Sequence, residues 1–416
     1  MKMSANDRGF LLIIGIFCDM DSIKFPRVAS IDILRALTML LMIFVNDLGN
    51  TINIPGWLEH TKTFDDGMGL ADTVFPAFLI IVGMSIPFAV QNRTKRGESD
   101  VIVLRHVIER FLALLVMGVF LVNGESLDSE AMGMPGYLYD IFCCLAFIFI
   151  WNAFPINVNR TLVIALKIIG WIILISLAWA YRGNNEGEIV RFNTWWWGIL
   201  GLIGWAYLFT SIVYLFGKGR FSNMMLFWIL CMLISVCFHT GMIAKRSLLA
   251  MITMPVGHGA MPALVSAGTI ISILFTKLVA KNNLKKLFIT LLSISGGAVI
   301  TGFILRRFFI ISKILATPSW VMISIGITVA AFVLVYWLAD IEGKTKWAGI
   351  IKGAGTNTLF CYLLPYFAYA LFSVSNLYLP EALLSGGVGL IKTFLFALLM
   401  VNIARWAQQI NIRLKI

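Results

Sequence analysis

The chain has 416 residues, of which 59% are hydrophobic and only 13% are Asp, Glu, Lys or Arg. A soluble domain carries about 25% charged residues, so this composition, with a mean hydropathy of +0.88, excludes a water-soluble globular fold and defines a polytopic membrane protein. The net charge of +12 would suggest a nucleic-acid partner in a soluble chain. Here the retention of Lys and Arg on one side of a membrane accounts for it, and membrane lipids are the expected partner, not nucleic acid.

Residues 1–26 contain a short apolar run, Phe10 to Phe17, too short to cross about 30 Å of hydrocarbon. No small-residue cleavage site follows it. This segment reads as a cytoplasmic N-terminal extension, with a single transmembrane domain over 27–416. Apolar runs of about 17–25 residues then recur twelve times, near 31–48, 70–90, 107–123, 137–154, 161–181 and 195–217, then 221–242, 259–278, 286–305, 318–338, 354–374 and 387–408. The expected fold is all-α, a bundle of about 12 transmembrane helices. The 107–123 span is the least clear, because Arg105, His106, Glu109 and Arg110 crowd its approach. The join between 195–217 and 221–242 is tight, and Pro76 and Pro87 are placed where they can break the second span.

With the N-terminus inside, about 20 Lys and Arg fall in inner segments and about 8 in outer loops, which places both termini in the cytoplasm. Arg306, Arg307 and Lys313 fit that pattern least well. All six cysteines (Cys18, Cys143, Cys144, Cys231, Cys237, Cys361) lie in or beside apolar stretches and read as buried free thiols. No metal site is expected, since no two histidines or cysteines are spaced as ligands.

Polar groups in membrane helices are expensive and mark sites. In the first span Ser30 can cap the N-terminus and Asp32 occupies the first turn. Arg35 shares a face with Asp32; it reads either as its ion-pair partner or as a contact for an anionic ligand. Asn46 lies about 21 Å beyond Asp32 along the helix, so Asn46 and Asp47 mark the outer mouth. Glu59, His60, Asp65, Asp66 and Asp72 follow in one loop and its flanks, then Glu125, Asp128, Glu130 and Asp140. This acidity either attracts a cationic or hydroxyl-rich acceptor or merely reflects basic residues held inside. Asp47, Asp72 and Asp140 sit deeper and are the better candidates. His60 can exchange a proton near neutral pH or be acylated, or it is an ordinary loop histidine. His106, His239 and His258 carry weaker signals. On the inner side, Arg93, Lys95 and Arg96, with Lys281, Lys285 and Lys286, suit either phosphates or anionic lipid heads.

Arg27-x-x-Ser30-x-Asp32-x-x-Arg35, Phe44-Val45-Asn46, His60, Ala71-Asp72-x-Val74-Phe75-Pro76 and Met84-Ser85-Ile86 together resemble the heparan-α-glucosaminide N-acetyltransferase family, and its short bacterial members most closely. Met134-Pro135-Gly136 and Gly355-Thr356-Asn357-Thr358-Leu359 are weaker echoes. The resemblance implies acetyl transfer across a membrane, from acetyl-CoA on the cytoplasmic side to an amino sugar or related glycan beyond it. It assigns catalysis to His60 and Asn46, and Asp72 is placed to orient His60. Asp47, Asp140 and Asn357 are expected at the acceptor, and Arg35, Arg93, Lys95 and Arg96 at the coenzyme A phosphates. The sequence departs from the family at Ala36, at Met134 and in the spacing of His60 from Ala71. The expected location is a bacterial inner membrane, with a homo-oligomer left open. A secondary transporter of an amino sugar or glycan fragment is the rival reading; a lipid-modifying acyltransferase with a longer donor chain is a third.

Overall fold

Twelve apolar helices form the body of the computed structural model, which describes residues 28–244, 246–376 and 379–416. They are α1 (Ala29–Asp47), α2 (Ala71–Lys95), α3 (Asp100–Glu125), α4 (Gly136–Trp151), α5 (Arg160–Ala180), α6 (Gly198–Phe216), α7 (Phe221–His239), α8 (Ala260–Ala280), α9 (Leu284–Leu305), α10 (Pro318–Tyr336), α11 (Thr358–Val374) and α12 (Gly386–Gln409). Ten lie in segments long and apolar enough to cross a membrane; α4 and α11 are shorter. The fold is thus an all-α polytopic bundle. A small antiparallel hairpin, β1 (Gly183–Asn185) and β2 (Glu188–Val190), joins α5 to α6. The N-terminal extension read over 1–26, together with Arg27 and Lys245, lies outside the described residues.

The crowded 107–123 segment becomes the 26-residue helix α3, whose first turns carry their charges in exposed pairs such as Arg105 to Glu109 at 2.8 Å. The tight join between α6 and α7 is a true turn, in which Lys218 and Gly219 take φ of 51° and 62°.

The expected break at Pro76 and Pro87 is absent, and α2 runs through both. An interior proline removes the hydrogen bond to the carbonyl four residues back. Here tertiary donors take both freed carbonyls. Trp320 Nε1–H donates to Asp72 O at 3.1 Å, and the Thr269 hydroxyl donates to Gly83 O at 2.9 Å. The helix continues through both because its neighbours α8 and α10 supply what proline removed.

Those same neighbours pack backbone to backbone. A Cβ on Gly83 would overlap the Val265 carbonyl, and one on Gly268 would overlap the Ile80 carbonyl. Small residues at the contact let two membrane helices approach this closely. Gly118 of α3 meets Gly198 and Gly201 of α6 in the same way. The α8 segment is the most buried of the long spans, whereas α5 is the least and turns side chains such as Ile175 and Trp179 outward.

Ser30 does not cap α1. Its hydroxyl is buried and has no hydrogen-bond partner among the described residues. The cap comes from Asp340, whose two carboxylate oxygens accept the N–H groups of Ala29 and Ser30 at 3.0 and 2.9 Å. The start of α1 and the C-terminal segment share one end of the bundle: Gly355 packs on the Asp32 backbone, and Asn357 Nδ2 donates to Ile412 O at 2.9 Å. His60 lies at the opposite end.

Candidate active site

The loop between α1 and α2 folds back over the first turn of α2. A 3-10 turn at Gly56–Leu58 reverses it, and Leu70 N–H closes onto Trp57 O at 2.7 Å. A side chain at position 69 would strike the Glu59 carbonyl; glycine lets the two strands of the loop touch. This brings His60 down onto Asp72.

Asp72 is 1% exposed and its carboxylate is fully engaged. Oδ2 accepts N–H from Thr61 at 3.0 Å and from Gly69 at 3.1 Å, and Oδ1 lies 2.8 Å from His60 Nδ1. A carboxylate beside Nδ1 requires the proton on that nitrogen, which leaves Nε2 with the free lone pair. Lys313 Nζ also stands 3.3 Å from His60 Nδ1. With the Nδ1 proton committed to Asp72 no lone pair remains for Lys313, so this approach is a contact of charge and not a hydrogen bond.

Lys313 arrives from the connection between α9 and α10, which is stitched to the His60 loop. Asp66 accepts from Arg306 Nε at 2.8 Å and from Ile311 N–H at 2.8 Å. Gly67 N–H returns to Ile311 O at 3.0 Å, and Ser312 Oγ donates to Thr63 O at 2.9 Å. The Ile311 N–H, with Arg306 behind it, holds the Asp66 carboxyl below the usual carboxylate range. Burial pushes the Lys313 ammonium down, and the charge of Asp72 partly offsets this. Arg306 and Lys313, which fit the charge pattern of the sequence poorly, are thus placed at the His60 end by direct partners.

His60 and Asn46 line one cavity of about 470 Å³, together with Glu59, Glu125, Tyr362 and Tyr366. A second cavity of about 300 Å³ opens toward the Asp32 end, with Arg110, Thr356, Arg413 and Lys415 on an otherwise mainly apolar wall. The two share Ile199, Leu200 and Tyr362. Arg110 lies 4.8 Å over the Tyr207 ring, and its Nε has no hydrogen-bond partner among the described residues.

The remaining expected residues are scattered. Asp47 is buried away from the cavity, with Lys392 Nζ at 2.8 Å and Tyr369 Oη at 3.0 Å. Asp140 is half-buried beside Gly124 and does not line the cavity. Asn357 sits at the opposite end from His60, where its Oδ1 is buried without a partner among the described residues. Arg35 donates to Asp32 at 3.2 Å and to the Ser85 hydroxyl at 2.6 Å. Arg93 pairs with Glu98 at 2.8 Å, and Lys95 and Arg96 are exposed at the end of α2. None of these four basic residues lines either cavity. In the sequence Glu125 is one of several outer acids, and Arg413 and Lys415 lie in a polar C-terminal stretch with no motif to mark them. Tyr362 and Tyr366, one helical turn apart on α11, carried no polar signal at all. Of the described cysteines, Cys143, Cys144, Cys231 and Cys361 are buried and Cys237 half-buried.

Fold and site together define a multi-pass membrane protein with a carboxylate–imidazole pair at the mouth of a polar cavity. Residues 27–245 match the family model described as a domain of unknown function (DUF5009). That match covers more than half of the chain, which therefore belongs to this family. The chain is also 30% identical to heparan-alpha-glucosaminide N-acetyltransferase of Mus musculus over 139 residues, 31% of this chain and 20% of the relative. Against the protein of the same name from Homo sapiens it is 33% identical over 117 residues, 27% and 17% of the respective lengths. The matched region thus spans about a fifth of these curated relatives.

Proposed function

We propose that this protein is a transmembrane acetyltransferase of a bacterial inner membrane, organised as one domain over 27–416. It moves the acetyl group of acetyl-CoA, met at the Asp32 end on the cytoplasmic side, to an amino sugar or related glycan at the His60 end. The observation that carries this reading is the His60–Asp72 pair on a cavity that Asn46 also lines. The partial similarity to the two N-acetyltransferases supports it.

The chemistry follows from the groups present. A protonated amine has no lone pair for a thioester, so the acceptor nitrogen must lose a proton. His60 Nε2 takes it, while Asp72 fixes the ring through Nδ1 and stabilises the charge that forms. The nitrogen forms its bond to the acetyl carbon, and Asn46 donates to the oxyanion of the tetrahedral adduct. The carbon–sulfur bond then breaks and the thiolate leaves, taking up the proton that His60 had received, while the remaining extra proton passes from the nitrogen to water, leaving a neutral amide and a thiol. Glu59 and Glu125 line the acceptor cavity without any Lys or Arg among its lining residues, a setting that favours an ammonium-bearing sugar. Arg110, Arg413 and Lys415 suit the donor phosphates, and the apolar wall beside them suits the arm that carries the thioester.

The test is purified protein in lipid with radiolabelled acetyl-CoA and a panel of amino sugars. Labelled N-acetyl product is the expected result. Accumulation of unmodified sugar inside proteoliposomes, with no acetyl transfer, would instead establish a secondary transporter.

A further inference from the structure

We infer that Lys313 is a positioning residue whose charge offsets that of Asp72 at His60, opposing a positive charge on the ring while Asp72 holds its orientation. For its catalytic consequence the inference rests on the reading of His60 as a base; the charge balance itself does not. A buried carboxylate at 2.8 Å from Nδ1 does two things at once. It fixes the tautomer, and it favours the imidazolium, which cannot accept a proton. The orientation that Asp72 provides and the charge that it brings thus pull in opposite directions.

The cation at 3.3 Å from the same nitrogen answers that difficulty. It leaves the hydrogen bond to Asp72 in place but opposes a second positive charge on the ring. The charged groups that face His60 come from several elements: Asp72 at the start of α2, Glu59 beside it in the loop, Glu125 at the end of α3 across the cavity, and Lys313 from the α9–α10 connection. Three are acids that favour protonation, and Lys313 opposes them. Its placement is built in. Ile311 and Ser312, the two residues before it, are each hydrogen-bonded to the His60 loop, through Asp66 and Thr63. Burial lowers the affinity of Lys313 for its proton and Asp72 restores part of it, as expected of an ammonium held against that carboxylate. A basic side chain in an outer loop also runs against the usual distribution of charge.

The experiment uses the full chain in lipid nanodiscs with nitrogen-labelled histidine. With four histidines in the chain, the spectrum of His60→Gln identifies the His60 signals. In Lys313→Met the pH at which His60 takes up a proton should rise by about one unit. The acid limb of kcat/KM for acetyl transfer should rise with it. Lys313→Arg, which keeps the charge, should restore both values. A purely structural lysine would lower activity equally at every pH and leave the titration alone. An unchanged His60 titration in folded Lys313→Met overturns the inference, whatever the activity. If the titration moves while no variant, nor the parent protein, transfers acetyl groups, the charge balance stands and the acetyltransferase reading falls.

Discussion

Asp72 accepts two backbone N–H groups in addition to the imidazole, so its position is set before His60 arrives. That arrangement predicts separable losses. His60→Ala should reduce acetyl transfer by about 10²–10⁴-fold while leaving coenzyme A binding, measured by calorimetry, close to that of the parent. Asn46→Ala should lose about 10²–10³-fold as an oxyanion donor. Because groups acting in one step are not additive, the double variant should be little worse than His60→Ala alone. Near-normal turnover in folded His60→Ala would return the residue to an ordinary surface role. The pieces of this site that sequence made legible lie within a short stretch of chain, from Asn46 through His60 to Asp72, where one loop and two helix ends fix their relation. Lys313, Glu125 and Tyr362 reach the same place from distant parts of the chain, and no spacing rule connects residues that only tertiary packing brings together.

Among the elements, the same distinction separates Ser30 from Asp340. A local cap is what a helix N-terminus in sequence suggests, yet the donor groups of α1 are met from 310 positions away. Asp340→Ala should remove about 0.5–2 kcal/mol of stability, the usual range for an N-terminal cap, read as a lower Tm of the solubilised protein; Ser30→Ala should leave it nearly unchanged. The clasp between the His60 loop and the α9–α10 connection gives a pH-dependent test. Asp66 has a depressed pKa in the folded state. Its contribution is therefore complete above the unfolded carboxylate value of about 3.9 and is lost as pH falls through the lower folded value. Asp66→Asn should melt below the parent protein near neutral pH, and the two Tm values should converge only in acid, below the ordinary carboxylate range. Equal Tm values at neutral pH would show that the clasp contributes nothing measurable. The unbroken course of α2 was beyond sequence for a related reason: two prolines predict a break, and the Trp320 and Thr269 donors that take the freed carbonyls belong to other helices.

For the whole molecule, hydropathy made the apolar segments readable because the bilayer sets a minimum length for a span, which ten of the described helical segments reach. The described start of α1 and the C-terminal segment share one end. A reporter fused after Ile416 should therefore give a cytoplasmic signal and one inserted near Ser126 an external one, in keeping with the bias of basic residues. An external C-terminus would reverse the assignment of the two cavities to donor and acceptor. Hydropathy says nothing of which helices touch, so the close contact of α2 with α8 and the end-to-end alignment of the cavities were not readable from it.

The wall that those cavities share, at Ile199, Leu200 and Tyr362, has an electrical consequence as well as a chemical one. A water column through the bundle would short-circuit the membrane, where each elementary charge is worth about 2.3 kcal/mol per 100 mV. The wall interrupts that column with two aliphatic side chains and a ring. On the proposed function, an acyl group would be handed across only if the insulator yields to the group and closes behind it, without a moment of open water. Tyr362→Gly in proteoliposomes under an imposed potential should leak protons faster than the parent protein, as read by an internal pH dye, even where its His60–Asp72 pair is intact.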